Sequence, residues 1–119
     1  MNVLIVDDSS DIVSIIQELL ENNNYRTMTA LDGEDGYLAY LDFKPEVVIT
    51  DIEMPKRNGF QLMKSIRRHD PDIKTIYMTA HVGQFISAFE EETVKYHAAF
   101  LEKPFPLGEL IGLLDNRQC

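Results

Sequence analysis

Near its start the chain reads Val3-Leu4-Ile5-Val6-Asp7-Asp8, four aliphatic residues followed by two acids. A continuous apolar run, without alternation, is typical of a strand that is buried on both faces of a parallel sheet. Similar runs recur at Val47–Ile49, Ile76–Met78 and Ala98–Leu101. The stretch Tyr25–Ala30 mixes polar and apolar residues and predicts an edge strand. Together these stretches predict five strands.

Between the strands, apolar residues recur at intervals of three and four, as in helices that bury one face. Ser9 or Ser10 can cap the first of these helices. The apolar positions are Ile12, Ile15, Ile16, Leu19 and Leu20; Leu38 and Leu41; Phe60, Met63 and Ile66; Phe85, Ile86, Phe89 and Val94; and Leu107, Leu110, Ile111 and Leu114. The alternation of strand and helix predicts an α/β fold, with a five-stranded parallel sheet, right-handed crossovers and helices on both faces.

The composition fits one domain, residues 1–119, with a net charge of -9. This charge argues against direct nucleic-acid binding and against binding to anionic membranes. The only cysteine is Cys119, so no intrachain disulfide is expected. The first residues do not resemble a signal peptide, and no apolar stretch is long enough for membrane insertion. The sequence predicts a cytoplasmic protein.

Polar side chains stand where four of the predicted strands end. Asp7 and Asp8 follow the first strand, Asp51 the third, Thr79 the fourth and Lys103 the fifth. Because parallel strands end at the same edge of a sheet, we expect these side chains to converge. Clustered carboxylates repel unless they bind a proton or a cation, and oxygen ligands without His or Cys favour Mg²⁺ or Ca²⁺. Mg²⁺ suits a site with few protein ligands, because it keeps waters and shares phosphate oxygens.

This set of groups fits phosphoryl transfer. A divalent cation, the Lys103 ammonium and the Thr79 hydroxyl would together neutralise the oxygens of a phosphoryl group during transfer. A carboxylate can act as the nucleophile and form an aspartyl phosphate. Asp51 stands alone at the end of a central strand, so we predict that it is the phosphoacceptor and that the Asp7-Asp8 pair holds the metal.

Four segments carry a resemblance to a known family. They are Leu4–Asp8; Val48–Pro55 followed by Asn58-Gly59; Met78–Ala80; and Phe100–Phe105. In this order and spacing they resemble the receiver domain of two-component response regulators. The resemblance implies a (βα)5 flavodoxin-like fold with strand order 2-1-3-4-5. It leaves open whether the domain stands alone or is excised from a longer protein.

The resemblance also implies a role for each matching residue. Asp51 would receive its phosphoryl group from a phosphohistidine on a sensor histidine kinase or a histidine phosphotransfer protein. Asp8 and Asp51 would ligate Mg²⁺, Asp7 would do so directly or through water, and the backbone carbonyl of Glu53 would complete the protein ligands. Lys103 would pair with the phosphoryl oxygens, with a cis peptide bond to Pro104.

Two further residues would transmit the signal. The resemblance implies that Thr79 moves towards the phosphoryl group and that Phe100 turns inward. This couples the site to the surface formed by the fourth helix, fifth strand and fifth helix, which would contact a downstream protein target. The domain would be a monomer or a weak phosphorylation-dependent dimer. It would catalyse only its own phosphoryl transfer and autodephosphorylation.

The chain departs from the family pattern on that output surface. The stretch from Thr79 to Lys103 is about two residues longer than the family pattern. Tyr96-His97-Ala98-Ala99 stands where a glycine usually ends the fourth helix. Glu90-Glu91-Glu92 predicts an unusually acidic face.

Two polar residues near the predicted site allow two interpretations. His81 and Glu53 each stand two residues after a predicted site residue. One interpretation is a solvated rim. The other is that they border the attacking water and set the lifetime of the aspartyl phosphate. His69 and His97 are predicted to be surface residues.

Three other functions compete with the phosphorylated switch. A receiver could bind partners without being phosphorylated. A phosphatase of the haloacid-dehalogenase type would need a second Asp where Glu53 stands, and Pro55 occupies a position where Thr or Val is usual. A flavin- or nucleotide-binding module would need a phosphate-binding loop after the first strand, where the acidic stretch Asp7–Asp11 stands instead.

Overall fold

Five parallel strands form one sheet in the computed structural model, which describes residues 1–115. The strands are β1 (Asn2–Val6), β2 (Arg26–Ala30), β3 (Val47–Asp51), β4 (Lys74–Thr79) and β5 (Ala98–Glu102). The helices are α1 (Ser10–Asn22), α2 (Gly33–Phe43), α3 (Gly59–Arg67), α4 (Ile86–Lys95), which follows a short 3₁₀ helix at Val82–Phe85, and α5 (Leu107–Asp115). The strand order is β2-β1-β3-β4-β5, which confirms the predicted fold class and topology.

The sheet separates two hydrophobic cores. The aliphatic residues of β1 alternate between them, since Val3 and Ile5 pack towards α1 and α5 whereas Leu4 and Val6 pack towards α2, α3 and α4. None of these four side chains is exposed to solvent. The run that indicated a strand buried on both faces therefore forms an inner strand of the sheet, between β2 and β3.

The two edges of the sheet show one correct and one wrong prediction. β2 is an edge strand, as its polar composition indicated. The run Ala98–Leu101, which lies within β5, was expected to be buried on both faces. Instead, β5 forms the other edge of the sheet. Ala98 and Ala99 are half-buried and Phe100 is 39% exposed. Small apolar residues fit an exposed edge as well as a buried strand, so composition alone did not distinguish them.

Helix α2 packs through its small residues. Leu38 and Leu41 were predicted to face the core, but they are 57% and 43% exposed. The buried face consists of Gly33, Gly36, Ala39 and Tyr40. A Cβ atom at Gly36 would lie 3.2 Å from side-chain atoms of Val6 and Leu62, so a larger residue there would hold the helix away from the sheet.

Apolar positions predicted for α1 and α4 also differ from the structure, among them Ile86, which is 47% exposed. Ile15 is 52% exposed and Val94 is 86% exposed, so neither contributes to the core. Phe85 belongs to the 3₁₀ helix and not to α4. Phe89 is the buried residue of α4, and its ring stacks on Phe100 with the centroids 4.1 Å apart.

One predicted cap is confirmed, and the structure adds a second. The Ser9 hydroxyl accepts a hydrogen bond from the Ile12 amide at the start of α1. Asn58 and Gln61 form a reciprocal capping box at the start of α3. Such caps bind amide groups that a helix itself leaves without partners. Among residues 1–115, no helix is both long enough and apolar enough to cross a membrane.

Candidate functional site

Three carboxylates meet at the carboxyl ends of β1 and β3. Asp7, Asp8 and Asp51 each place one carboxylate oxygen within 4.8 Å of the oxygens of the other two. Asp7 is 1% exposed and Asp51 is 8% exposed, whereas Asp8 is open to solvent. The predicted convergence of these acids is therefore present in the structure.

Asp7 is held from three directions. Its amide donates to the Ala30 carbonyl of β2, at 3.2 Å. Its Oδ1 accepts a hydrogen bond from the Ser9 amide at 2.9 Å, and its Oδ2 accepts from Lys103 Nζ at 2.7 Å. A buried carboxylate needs such donors, because burial without them is strongly unfavourable.

Asp51 is held at the end of β3 by its neighbours. Its Oδ1 accepts a hydrogen bond from the Ile52 amide at 2.9 Å and lies 3.6 Å from Lys103 Nζ. Behind it, the Gly59 amide donates to the Ile52 carbonyl at 2.8 Å. A Cβ atom at Gly59 would lie 2.5 Å from the Asp51 carbonyl oxygen, so α3 can approach this closely only because residue 59 is glycine.

Lys103 reaches both acids from the end of β5. Its amide donates to the Thr79 carbonyl at 2.7 Å, which ties the start of this loop to β4. The Lys103–Pro104 peptide bond is cis, as the resemblance implied. In residues 1–115, Lys103 is the cation within 4 Å of these carboxylates.

The charge of the cluster is unbalanced. Burial, and then the neighbouring Asp7 carboxylate, raise the pKa of Asp51 from 3.8 to about 6. Lys103 and the Ile52 amide act in the opposite direction but do not cancel these effects. A raised carboxyl pKa means that the site favours an additional positive charge, either a proton or a cation.

This imbalance predicts a pH-dependent effect of Asp51 on stability. The pKa of Asp51 is higher in the folded protein than in the unfolded chain. Ionisation of Asp51 therefore lowers the free energy of unfolding as pH rises from about 4 to about 6, and lowers it no further above that range. In Mg²⁺-free buffer, we expect Asp51→Asn to raise the free energy of unfolding at pH 7.5 by about 1–2 kcal/mol, allowing for solvent screening.

Urea unfolding at pH 4 and at pH 7.5 would measure this effect. The gain from Asp51→Asn should be nearly absent at pH 4. Glu18→Gln, which removes one exposed negative charge on α1, is the control for net charge. A gain of the same size at both pH values would contradict the assigned cause.

Thr79, Glu53 and His81 lie beside the acids. The Thr79 hydroxyl oxygen accepts a hydrogen bond from the His81 amide at 3.0 Å. His81 Nδ1 lies 2.9 Å from Glu53 Oε1, so these side chains bridge the ends of β3 and β4. Both are more than half exposed, which agrees with a rim position.

Comparison with known proteins identifies the family. The profile of the response regulator receiver domain matches residues 3–115, nearly the whole chain. The chain belongs to this family.

Similar proteins include both full regulators and single receiver domains. Response regulator SaeR of Staphylococcus aureus is 31% identical over 119 residues, covering 97% of this chain and 49% of SaeR. The chain therefore spans about half the length of the curated relatives that it matches. Among solved structures, chemotaxis protein CheY4 of Vibrio cholerae has a TM-score of 0.84 at 27% identity, covering 95% and 94% of the two chains. A receiver domain protein of Clostridium thermocellum has the same TM-score and identity, covering 97% and 91%.

The other residues for which the sequence made a prediction lie outside the acid cluster. Phe100 lies on the outside of β5, 39% exposed, against Phe89. His69 and His97 are surface residues, as predicted. The prediction of an unusually acidic α4 face is wrong for Glu92, whose side chain is 17% exposed and pairs with Arg67, whereas Glu91 pairs with Lys95 on the surface. Cys119 lies outside the described residues.

Sequence reasoning missed two backbone features of this receiver domain. The Ile52 amide orients the Asp51 carboxylate, and Gly59 allows α3 to pack directly behind it. Asn58 caps α3 through its side chain, whereas Gly59 provides the space for this close packing. Close packing of this kind depends on a contact across the fold, and only the glycine itself signals it in the sequence.

Proposed function

We propose that this receiver domain accepts a phosphoryl group on Asp51, with Mg²⁺, and responds by changing the arrangement of α4, β5 and α5. The observation that supports this most directly is the charge balance of the site. Three converging carboxylates face one ammonium group, and the pKa of Asp51 is raised to about 6. Such a site favours a divalent cation, and after it a group that shares oxygens with that cation.

Mg²⁺ fits the donor set. All side-chain donors of the cluster are carboxylate oxygens, from Asp7, Asp8 and Asp51, which are hard ligands. The Glu53 backbone carbonyl would be a further ligand. The cation would supply positive charge to the phosphoryl oxygens during transfer.

The side chains of the site fit the roles that phosphoryl transfer requires. A carboxylate oxygen of Asp51 would form the bond to phosphorus while the bond from phosphorus to the donor breaks, and the electron pair would leave with the donor. The Ile52 amide fixes the orientation of the Asp51 carboxylate. Lys103 Nζ already lies between Asp7 and Asp51, where it would meet the phosphoryl oxygens. Thr79 Oγ1 accepts from His81 N, so its own O–H can donate to an incoming oxygen.

The partners follow from the family. The donor would be a phosphohistidine on a sensor histidine kinase or a histidine phosphotransfer protein, in the cytoplasm. The signal would pass to a downstream protein target through the α4, β5 and α5 surface, with Thr79 moving towards the phosphoryl group and Phe100 turning inward. The domain would act as a monomer or as a weak dimer that forms on phosphorylation.

Intact mass spectrometry would test the proposal. The protein is incubated with acetyl phosphate, with and without Mg²⁺, alongside Asp51→Asn. We expect one phosphoryl adduct on the wild type in Mg²⁺ and none in either of the other two samples. If the folded wild type takes up no phosphoryl group from acetyl phosphate or from histidine kinases, the phosphorylation-independent binding module becomes the better proposal. Sustained phosphomonoester turnover would instead favour a phosphatase.

The bridge between His81 and Glu53 leads to a prediction about phosphoryl lifetime. We infer that this pair limits the approach of water to the aspartyl phosphate, because it joins the ends of the strands that carry Asp51 and Thr79. Replacing both residues with alanine should speed dephosphorylation about three- to tenfold, the equivalent of about 1 kcal/mol in the barrier.

Loss of the phosphoryl adduct after removal of donor would measure this rate. The double variant Glu90→Ala/His97→Ala is the control, because it removes the same residue types from exposed positions elsewhere. Equal rates for wild type and the His81/Glu53 variant would leave only the solvated-rim interpretation.

A further inference from the structure

Helix α4 is attached to the rest of the domain by few side chains. Phe89 is its buried residue, whereas Val94 is 86% exposed and Ile86 is 47% exposed. Phe89 packs among other aromatic rings, including Tyr77 at a centroid distance of 6.0 Å. One apolar anchor leaves the position of a helix weakly determined, so the second attachment point matters.

Glu92 is that second attachment point. Three residues after Phe89, its Oε1 accepts a hydrogen bond from Arg67 Nη1 of α3 at 2.6 Å. The same oxygen accepts a hydrogen bond from the Tyr77 hydroxyl of β4 at 2.5 Å. Burial and this hydrogen bond raise the pKa of Tyr77, so its hydroxyl remains a donor at neutral pH. We name the group Arg67, Tyr77 and Glu92 the α4 latch.

The latch is incompletely satisfied. Arg67 also donates from Nη2 to Thr75 at 3.3 Å and lies over the ring of Tyr96, 3.8 Å from its centroid. Its Nε, however, is buried without a hydrogen-bond partner among the described residues. An unsatisfied buried donor lowers the stability of the arrangement that contains it. The network that holds α4 is therefore less stable than a fully paired one would be.

The latch is adjacent to the phosphoacceptor site along β4. Tyr77 stands two residues before Thr79, and in the strand register it pairs with Phe100 of β5. Phe100 in turn stacks on Phe89 of α4. A displacement of Thr79 or Phe100 thus acts directly on the residues that hold α4.

Two departures of this chain from the family pattern form part of the latch or support it. Glu92 belongs to the acidic run Glu90-Glu91-Glu92, and Tyr96 stands where a glycine usually ends the helix. Both contact Arg67. The departures therefore build a specific internal contact instead of an acidic surface.

We propose that the α4 latch holds α4 in its unphosphorylated position, and that release of Glu92 from Tyr77 and Arg67 is the step that links phosphorylation of Asp51 to movement of α4. This rests on the proposed function above. Because the two sites are linked, release of the latch favours phosphorylation by the same equilibrium factor as phosphorylation favours release.

Two variants weaken the latch while preserving its shape. Tyr77→Phe removes one hydrogen bond and keeps the ring, and Glu92→Gln removes the charge and keeps an acceptor. Glu91→Gln is the matched control, since it changes the neighbouring carboxylate, which pairs with Lys95 on the surface. Hydrogen exchange is measured without phosphodonor in α4 and, as a reference for global stability, in β1. Phosphorylation by acetyl phosphate with Mg²⁺ is measured by intact mass.

We expect both latch variants to exchange faster in α4 but not in β1, and to be phosphorylated about three- to tenfold faster than wild type. Glu91→Gln should match the wild type in both measurements. Unchanged exchange in α4 would overturn the proposal, whatever the phosphorylation rate. Faster exchange with an unchanged phosphorylation rate would overturn the link to Asp51. A wild type that takes up no phosphoryl group would instead refute the proposed function, and the link with it.

Discussion

Replacing Lys103 with methionine is expected to lower the free energy of unfolding by about 3 kcal/mol in Mg²⁺-free buffer. Lys103 Nζ contacts Asp7 at 2.7 Å, and Asp7 is 1% exposed. Without the ammonium group, the Asp7 carboxylate would keep, among residues 1–115, only its hydrogen bond from the Ser9 amide, beside two other acids. Phosphorylation of Asp51 should also slow by a factor of about 100 or more, because a donor to the transferring group is lost.

Urea unfolding with and without Mg²⁺ would measure the stability effect. Saturating Mg²⁺ should restore most of the loss, since a cation bound at about 100 times its dissociation constant adds about 2.7 kcal/mol. Lys56→Met is the control, because Lys56 is an exposed lysine whose ion pair with Asp32 is long, at 3.5 Å. A loss of the same size in both variants would show that Lys103 does not offset a buried charge.

Replacing Gly59 with alanine is expected to lower the free energy of unfolding by about 2–3 kcal/mol. The added Cβ would lie 2.5 Å from the Asp51 carbonyl oxygen and 3.1 Å from the Ile52 Cα atom. Both are backbone atoms, so the contact can be relieved only by moving α3 or the end of β3. Either movement displaces the Asp51 carboxylate, so phosphorylation should slow together with the loss of stability.

Gly112→Ala is the matched control for Gly59→Ala. Gly112 also lies in a helix, but a Cβ atom there would have no neighbour within 4 Å. That substitution should raise the free energy of unfolding by about 0.5–1 kcal/mol, because alanine favours the helix. Thermal unfolding of the two variants would compare them directly. A stabilising Gly59→Ala would refute the packing argument.

The parallel α/β sheet and the acid cluster could be predicted because each depends on local sequence, whereas the strand order came from the family resemblance. A buried parallel strand needs a continuous apolar run, and Val3–Val6 provides one that no turn or amphipathic helix explains. The end of such a strand is marked by the polar residues that follow the run. Because parallel strands end at the same edge of a sheet, the residues that follow each run are expected to lie close together. Asp7, Asp51 and Lys103 are among these residues.

The remaining features depend on contacts between distant parts of the chain. Glu92 meets Arg67, which is 25 residues away in the sequence, and nothing in the run of three glutamates distinguishes the buried one. The inner face of α2 consists mostly of small residues, because the helix lies close to the sheet. Its leucines are therefore exposed, and the prediction from the apolar spacing was wrong. Whether Ala98–Leu101 forms an edge strand or a central strand depends on whether another strand pairs with its far side, and its own residues do not indicate this.

The distance in sequence between the two partners of the Lys103–Asp7 ion pair has a consequence for synthesis on the ribosome. The two residues are 96 positions apart, and the lysine directly follows β5, the last of the five strands of the sheet among residues 1–115. The strands that end at Asp7 and Asp51 are synthesised before Lys103. A nascent domain in which these strands have already paired must therefore hold the two acids together without the lysine. The charge balance of this site is thus completed only after β5 has been made, and we expect Mg²⁺ in the surrounding solution to stabilise the partly made domain until then.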